Sequence, residues 1–153
     1  MPAHDTQQQL QHFEHTCKSA GLKVTQQRLE IYTALLEARD HPSAEALHKL
    51  LAGRLPALSL DTVYRTLATF EKLHLVHRLE TPENQARYEA PGPRHHHFLC
   101  DRCGQVIDFA WQSFDAVELP QALAEIGTID RASVIVHGKC AACLQAESGT
   151  AAL

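Results

Sequence analysis

Apolar side chains recur at three- and four-residue intervals through the first part of the chain, as in a helix with one buried face. The pattern predicts four helices: one over residues 7–20, and three that begin after Thr25, at Pro42-Ser43 and after Ser59. Serine and threonine are favoured there because their side-chain oxygens accept hydrogen bonds from the unpaired N–H groups of a first turn. The last helix runs to about Leu73 and carries its apolar stripe at Val63, Leu67 and Phe70.

Two short alternating stretches, residues 75–79 and 86–90, follow the fourth helix and predict a hairpin that turns at residues 82–85. Helices in this order followed by a hairpin are typical of a winged helix-turn-helix. The fold suits DNA because an α-helix fits the major groove and its exposed face can carry hydrogen-bond donors.

The polar side of the predicted fourth helix supplies candidates for DNA contacts. Arg65 could pair with guanine, and Thr62 and Tyr64 offer apolar contact to thymine together with a hydroxyl group. Lys23 and Arg28, close to the start of the second helix, could hold the DNA backbone. The pattern alone leaves a second interpretation open, in which this face is simply solvated.

The second half predicts a smaller mixed lobe. Strands are expected over 95–100, 106–109 and 133–137, a helix interrupted by Pro120 over 114–126, and a frayed tail over 146–153. Two prolines and a glycine in residues 91–93 favour a break between the lobes. The sequence therefore predicts an α+β protein with a winged-helix domain (1–90), a linker (91–94) and an α/β domain (95–153).

The balance of acidic and basic side chains excludes two classes of function. The 153 residues include 14 basic and 18 acidic side chains, so the net charge of −4 excludes a uniformly basic nucleic-acid binder and a polybasic membrane anchor. The chain has no apolar run near the roughly 18 residues that a membrane span needs. We therefore expect a cytoplasmic protein whose thiols stay reduced.

Four of the five cysteines form two Cys-x-x-Cys pairs, Cys100 with Cys103 and Cys140 with Cys143. Four thiolates in two such knuckles are typical of a closed tetrahedral zinc site. The alternative is a redox pair, but such a pair usually sits at a helix start, whereas Cys103 is followed by Gly104 and a predicted strand. We interpret the four as structural zinc ligands and leave Cys17 without a role.

Histidines are abundant, with 11 in the chain, and three of them precede the first knuckle. On a strand, His95 and His97 point to one side and His96 to the other. Two carboxylates and a further imidazole are candidates to join them: Asp108 on the returning strand, Glu89 before the linker, and His41. Imidazoles with carboxylates suit Fe(II), Mn(II) or Zn(II), although a solvated surface histidine is the ordinary alternative.

The residues now assembled resemble the ferric uptake regulator family of metal-dependent bacterial repressors. The strongest matching segments are GLKVTQQR (21–28), HPSA (41–44), SLDTVYR (59–65), RYE (87–89) and HHHFLCDRCG (95–104), together with Asp108 and the final Cys-x-x-Cys. The resemblance implies a homodimer, formed through the second domain, that binds an AT-rich palindrome of double-stranded DNA. It implies structural zinc at Cys100, Cys103, Cys140 and Cys143, and a regulatory Fe(II) or Mn(II) at His41, Glu89, His95, His97 and Asp108.

The resemblance also bears on what is sensed. Similar proteins that sense peroxide carry Asp at the position of Asp108, and there bound Fe(II) reacts with hydrogen peroxide to oxidise ligand histidines, here His41 or His95. Glu89 is more typical of the iron-responsive branch. We expect peroxide sensing first, iron sensing second, and zinc or manganese sensing third. A further family site would fall on Arg94 and Ala132, which cannot bind a cation, with His96 and Asp115.

Two interpretations from other classes stay open at this point. The cysteine pairs or the histidines could serve a thiol or metal oxidoreductase, or the chain could buffer zinc without any effect on DNA. We expect a repressor and not an enzyme.

Overall fold

A computed structural model describes residues 6–38 and 40–151. It divides into two compact units, Met1–Gly92 and Pro93–Leu153. The boundary falls inside the segment 91–94 that the sequence marks as a break. The predictions that reach residues 1–5, 39 and 152–153 lie outside the described residues.

The first unit begins with four helices. They are α1 (Thr6–Ser19), α2 (Gln26–Glu37), α3 (Ala44–Leu51) and α4 (Leu60–Lys72). The predicted caps are present: the side-chain oxygens of Thr25, Ser43 and Ser59 accept backbone N–H groups at 3.3, 3.1 and 3.1 Å. Because these caps provide acceptors for N–H groups of the first turns, α2, α3 and α4 begin where the sequence predicts them.

An aromatic cluster forms the centre of the first unit. Phe13 stacks on Tyr32 with ring centroids 4.3 Å apart, and Phe70 meets both rings edge-on at 5.3 and 5.9 Å. The predicted stripe of α4 is buried here, with Val63, Leu67 and Phe70 inaccessible to solvent. Burial of one face of α4 leaves the opposite face of the helix exposed.

The predicted hairpin is present but shorter than expected. Its strands are β1 (His77–Leu79) and β2 (Arg87–Glu89), paired antiparallel with His77 opposite Glu89. Leu75 and Val76, which the alternation assigns to the first strand, are buried in the helical core instead. The Leu75 N–H donates to the Phe70 carbonyl at 2.9 Å, so these residues close α4 before the strand begins.

The second unit contains a three-stranded sheet. Its strands are β3 (His96–Cys100), β4 (Val106–Phe109) and β5 (Ile135–Gly138), in the order β4-β3-β5. The β3–β4 pair is antiparallel and the β3–β5 pair is parallel. Predicted residues 133 and 134 precede β5, and the Val134 N–H donates to His96 Nδ1 instead of entering the strand ladder.

Two predictions for the second unit need correction. The helix expected over 114–126, interrupted by Pro120, is two short helices, α5 (Gln112–Asp115) and α6 (Ala122–Ile126). The break lies at Pro120, whose ring cannot continue a helix, but it is wider than expected and extends over residues 116–121. Residues 146–151 of the tail are not frayed, because they belong to α7 (Ala141–Ala151). Glu147 on α7 accepts from Arg102 at 2.6 Å and Lys139 at 3.0 Å, which fixes the helix beside both cysteine knuckles.

Candidate metal centres and nucleic-acid interface

The four knuckle cysteines of the second unit converge. Cys100 lies at the end of β3 and Cys143 on α7, and their sulfurs are 3.8 Å apart; Cys103 and Cys140 are also 3.8 Å apart. All four sulfurs lie within 4.8 Å of one another. A disulfide needs about 2.05 Å, whereas ligands at 2.3 Å around tetrahedral zinc are about 3.8 Å apart. The arrangement is that of a tetrahedral thiolate site.

The protonation of the four thiols also fits a cation. Backbone N–H groups, that of Cys103 first and then that of Cys140, lower the pKa of Cys100 to about 6. The neighbouring sulfur of Cys140 and the loss of solvent raise the pKa of Cys143 to about 12. Four thiolates this close repel one another, so all four can ionise together only around a positive ion.

Three of the candidate regulatory ligands meet within the second unit. His97 lies opposite Asp108 in the β3–β4 register, and His95 precedes β3 on the same side. The Nε2 atoms of His95 and His97 are 3.1 Å apart, and Asp108 Oδ1 lies 3.8 and 3.4 Å from them, respectively. The 3.1 Å between the two imidazoles and the 3.4 Å between His97 and Asp108 match ligands about 2.1 Å from a shared ion, which lie roughly 3.0–3.4 Å apart. The 3.8 Å between His95 and Asp108 is longer than that range.

The tautomer of His95 suits metal binding. Its Nδ1 lies 2.8 Å from the carbonyl oxygen of Pro93. A carbonyl only accepts, so Nδ1 is the protonated nitrogen and donates this bond. Nε2 is then the basic nitrogen, and it faces His97 and Asp108. An outer carbonyl that fixes an imidazole in this way is common around protein-bound metals.

The other two candidate ligands meet within the first unit. His41 Nε2 lies 3.0 Å from Glu89 Oε2, and the two side chains are 5% and 10% exposed. The turn that carries His41 is attached to β2, since Arg87 donates to the His41 carbonyl at 3.1 Å and the Tyr88 N–H to that of Pro42 at 3.0 Å. The chain thus builds a histidine–carboxylate group in each unit.

The candidate DNA contacts lie on the first unit. Arg65 on α4 is 75% exposed and forms an ion pair with Asp61 at 3.0 Å. Tyr64 is exposed and donates to Glu45, while the Thr62 hydroxyl lies 2.8 Å from that of Ser59.

Lys23 and Arg28 lie together at the start of α2. The Arg28 guanidinium donates to the Lys23 carbonyl at 2.7 Å, and the exposed Lys23 precedes the helix. A groove of about 650 Å³ runs between α4 and the hairpin, lined by Tyr64, Arg65 and Arg78 among others. The groove carries charges of both signs, since Glu45 and Glu71 line it together with the two arginines.

A family model described as the ferric uptake regulator family matches residues 19–134. The chain belongs to the ferric uptake regulator family. This family of metal-dependent regulators includes the peroxide operon regulator of Bacillus subtilis (strain 168). That relative is 30% identical over 148 residues, which cover 97% of this chain and 99% of the relative.

Solved structures of the family share the fold. The ferric uptake regulator of Helicobacter pylori, which has three functional metal-binding sites, matches with a TM-score of 0.74 and 25% identity over 90% of this chain and 93% of its own. A zinc uptake regulator complexed with zinc and DNA matches with a TM-score of 0.64 and 28% identity, over 94% and 98%. Both of these relatives are regulators.

The length and composition of the helices determine whether they could cross a membrane. None of the helices in residues 6–38 and 40–151 is long and apolar enough to cross a bilayer.

In this family member, a guanidinium group occupies the place where the resemblance puts a further site. Arg94 Nε lies 2.9 Å from Asp115 Oδ1, and its terminal nitrogens donate to the carbonyls of Asp115 and Ala132 at 3.2 and 3.4 Å. His96 is fully buried; it accepts the Val134 N–H at Nδ1 and donates from Nε2 to Asp115 Oδ1 at 2.8 Å. Both imidazole nitrogens are therefore committed to protein partners.

Sequence reasoning missed several residues around the family's sites. His77 Nδ1 lies 3.8 Å from Glu89 Oε1, and Arg87 contacts the backbone of His41. Arg78 and Glu45 line the groove beside α4. The strand alternation that predicts the hairpin could have placed His77 opposite Glu89, but no local signal links Arg87 to a turn 46 residues earlier.

Proposed function

We propose that this chain is a metal-dependent, DNA-binding repressor that senses hydrogen peroxide. The observation that carries the proposal is the pairing of histidines with carboxylates in both units: His41 with Glu89, and His95 and His97 with Asp108. In the proposed state, the two groups complete one ligand set around a single divalent ion.

The donor types support Fe(II) or Mn(II) in that set and zinc in the cysteine site. Two carboxylates balance the charge of a divalent ion, and three imidazoles suit metals of the middle of the first transition row. Four thiolates suit zinc, which has no redox chemistry and closes its tetrahedron. The iron or manganese ion would be exchangeable, while zinc would hold the second unit folded.

Ligands on both units give the ion control over DNA binding. An ion that binds all five side chains stabilises the arrangement of units in which they meet, and it shifts the population toward that arrangement. If this arrangement is the one that binds DNA, metal tightens DNA binding and DNA tightens metal binding by the same factor.

Peroxide would end DNA binding by oxidising the histidines that bind the metal. Bound Fe(II) would activate the O–O bond of peroxide. In the net reaction, a ring carbon of His41 or His95 gives up two electrons to peroxide and gains one of its oxygen atoms, and the other oxygen leaves as water. The oxidised ring binds the ion less well, so DNA is released. His95 is the more accessible imidazole of the second-unit group, with 14% of its side chain exposed against 3% for His97.

DNA binding is assigned to the exposed side of α4 and the start of α2. Arg65, Tyr64 and Thr62 would contact bases in the major groove, and Lys23 and Arg28 the backbone. Two copies, joined through the second unit, would place two such helices on an AT-rich palindrome. Apolar side chains exposed on the second unit, such as Val117, Ile126 and Val136, support an interface there.

A change at Arg65 tests the DNA assignment. Arg65→Ala removes an exposed guanidinium and should weaken binding to a palindromic operator by about 1–3 kcal/mol for each base that the side chain no longer reads. Fluorescence anisotropy at fixed salt measures this, with Arg54→Ala as the control, since Arg54 is also exposed and ion-paired. Equal binding by both variants and wild type would remove α4 from the interface.

An iron-responsive repressor is the second candidate function. It is favoured by Glu89, which stands where the peroxide-sensing branch usually has Asp, and by the similarity to the Helicobacter pylori regulator. Zinc or manganese sensing is a more distant candidate. An oxidoreductase is disfavoured, because all four sulfurs lie within 4.8 Å of one another and form one cluster instead of two separate dithiols.

Peptide mass spectrometry separates these functions. The Fe(II)-loaded protein is exposed to peroxide, digested and compared with Mn(II)-loaded protein, with operator binding measured on the same samples. Peroxide sensing predicts addition of one oxygen to peptides with His41 or His95, together with DNA release, in the Fe(II) sample alone. Iron-dependent DNA binding without histidine oxidation would favour the iron-responsive function, and oxidation confined to cysteines would favour thiol chemistry.

A further inference from the structure

The backbone of His41 has an unusual conformation. Its φ angle is 53°, in the left-handed region that side chains with a Cβ rarely adopt. The residue is followed by Pro42 and by Ser43, which caps α3. Residue 41 therefore has to be held in this conformation by contacts outside its own turn.

Three consecutive residues of β2 supply such contacts. Glu89 meets the His41 ring, the Tyr88 N–H donates to the Pro42 carbonyl, and Arg87 donates to the His41 carbonyl at 3.1 Å. Among these, the Arg87 contact acts directly on the backbone of the strained residue. Its role differs from that of Glu89, which contacts the ring that would bind metal.

The Arg87 side chain is half-buried and contacts the turn that carries His41. Its Nε is buried and has no hydrogen-bond partner in the part of the chain that the structure describes. Burying an unsatisfied donor is unfavourable. The side chain adopts this position nonetheless, with a terminal nitrogen on the His41 carbonyl.

We propose that Arg87 is a positioning residue for the exchangeable metal, acting through His41. The guanidinium holds the carbonyl of residue 41, which keeps the left-handed turn and directs Nε2 toward Glu89 before any metal binds. Without Arg87, residue 41 relaxes toward an ordinary φ and its ring leaves Glu89. The inference rests on the proposed function, because it assigns His41 and Glu89 to one ion.

The consequence is confined to metal affinity. A preformed pair binds an ion without the free-energy cost of first ordering the turn. Removal of the Arg87 side chain should therefore raise the Mn(II) concentration needed for DNA binding by roughly 10-fold or more, in the range seen for outer partners of metal ligands. Operator affinity at saturating Mn(II) should equal that of wild type.

The test uses the full-length, zinc-loaded protein with Arg87→Ala and Arg87→Lys. Mn(II) affinity is measured by electron paramagnetic resonance, operator binding is titrated with Mn(II), and zinc content and thermal unfolding are recorded. We expect Arg87→Ala to bind Mn(II) about 10-fold more weakly, Arg87→Lys to recover part of that affinity through its single ammonium group, and both to keep zinc. Arg54→Ala, the matched control on the same unit, should match wild type.

Several results would overturn the inference. Wild-type Mn(II) affinity in Arg87→Ala would do so, and so would a defect in operator binding that saturating Mn(II) cannot restore, because that indicates a general defect of the first unit. If Arg87→Ala does not fold, Arg87→Met, which keeps the length of the side chain but has no donor, replaces it, and an unchanged Mn(II) affinity in that variant decides against the role. Failure of the proposed function looks different: wild type and His41→Ala would then bind Mn(II) equally.

Discussion

The cysteine site and the histidine–carboxylate groups differ in how the chain supplies their ligands. All four cysteines belong to the second unit, where two knuckles bring their sulfurs within 4.8 Å of one another. The histidines and carboxylates are divided, two on the first unit and three on the second. When all ligands of a metal belong to one unit, its binding stabilises the fold of that unit. When the ligands are divided between two units, binding of one ion by all of them would shift the population of the arrangements that the units adopt.

The two kinds of site also differ in how they are held. The cysteines lie at a strand end and on the knuckles beside α7, with Glu147 bonded to both Arg102 and Lys139. His41 depends on a left-handed backbone and on Arg87. The cysteine cluster therefore rests on side-chain bonds between its own knuckles and α7, whereas the His41 group rests on a strained turn and its contacts with β2.

The largest effect expected from this contrast is at Cys100. Cys100→Ser removes one of four zinc ligands, and structural zinc contributes on the order of 10 kcal/mol to the folding of small metal-bound domains. We expect loss of zinc, unfolding of the second unit and a monomeric protein, measured by metal analysis, circular dichroism and light scattering. Cys17→Ala is the control, since Cys17 is buried in the first unit and should leave zinc bound. A stable zinc-free dimer of Cys100→Ser would show that the second unit folds without its zinc, which contradicts the structural role of the cysteine site.

A change at His97 should affect the other centre alone. His97→Ala removes a buried imidazole next to Asp108, so Mn(II) affinity should fall at least about 10-fold, as it does when mere outer partners of a metal ligand are removed. Zinc content and the fold of the second unit should stay unchanged, as judged by metal analysis and thermal unfolding. His12→Ala, in an exposed histidine of α1, should leave Mn(II) binding intact. Loss of zinc from His97→Ala would show that the two centres are not independent.

Asp108→Glu should separate metal binding from peroxide sensing. The longer carboxylate still binds a divalent ion but can occupy the coordination position that peroxide needs. Mn(II)-dependent operator binding should change little, while peroxide-driven release of the Fe(II) form from DNA slows several-fold relative to Asp130→Glu, a control in an exposed loop. Stopped-flow anisotropy measures the release, and an undiminished rate would argue against a role for the short carboxylate.

The smallest expected signal is the number of protons released when zinc binds. Cys143, with its pKa raised to about 12, and Cys103, whose pKa is also raised by neighbouring sulfurs, are protonated at neutral pH and must lose protons to bind zinc. Cys100, with its pKa lowered to about 6, is already ionised and releases little. Zinc affinity should therefore rise with pH above neutrality and fall as acid reprotonates the thiols.

Calorimetry in buffers with different ionisation enthalpies counts these protons. At neutral pH, zinc binding should release at least the two from Cys103 and Cys143, whereas Mn(II) binding, which involves no thiol, should release fewer. Equal proton counts for the two metals would contradict the distinction between the centres.

The helix starts, the cysteine pairs and the two sides of β3 could be predicted from the sequence, because each depends on a local pattern. Thr25, Ser43 and Ser59 predict the starts of their helices correctly, because capping depends only on residues within one turn. The Cys-x-x-Cys spacing predicts a pair of metal ligands for the same reason, since both cysteines lie within four residues. Alternation on β3 correctly separates His96 from His95 and His97, since side-chain direction along a strand has a period of two residues.

The rest depends on contacts that no local pattern contains. Val76 alternates like a strand residue, yet the helical core buries it before β1 begins. Gly149 and the weak apolar pattern of the tail gave no indication of α7, which is fixed beside the knuckles by Glu147. Nothing close to Arg87 in the sequence signals its bond to residue 41, because that bond exists only once β2 lies against the turn.

The parallel register of β3 and β5 has a consequence for how the protein is made. Cys100 lies opposite Gly138, so the central pairing of the sheet joins residues almost forty positions apart. Such pairings close late, because the loop entropy is lost before the stabilising interactions form. On the ribosome, the helical unit can fold as soon as its own residues have emerged. The second unit has to wait until the last knuckle is synthesised, and zinc availability at that moment would set the yield of working protein.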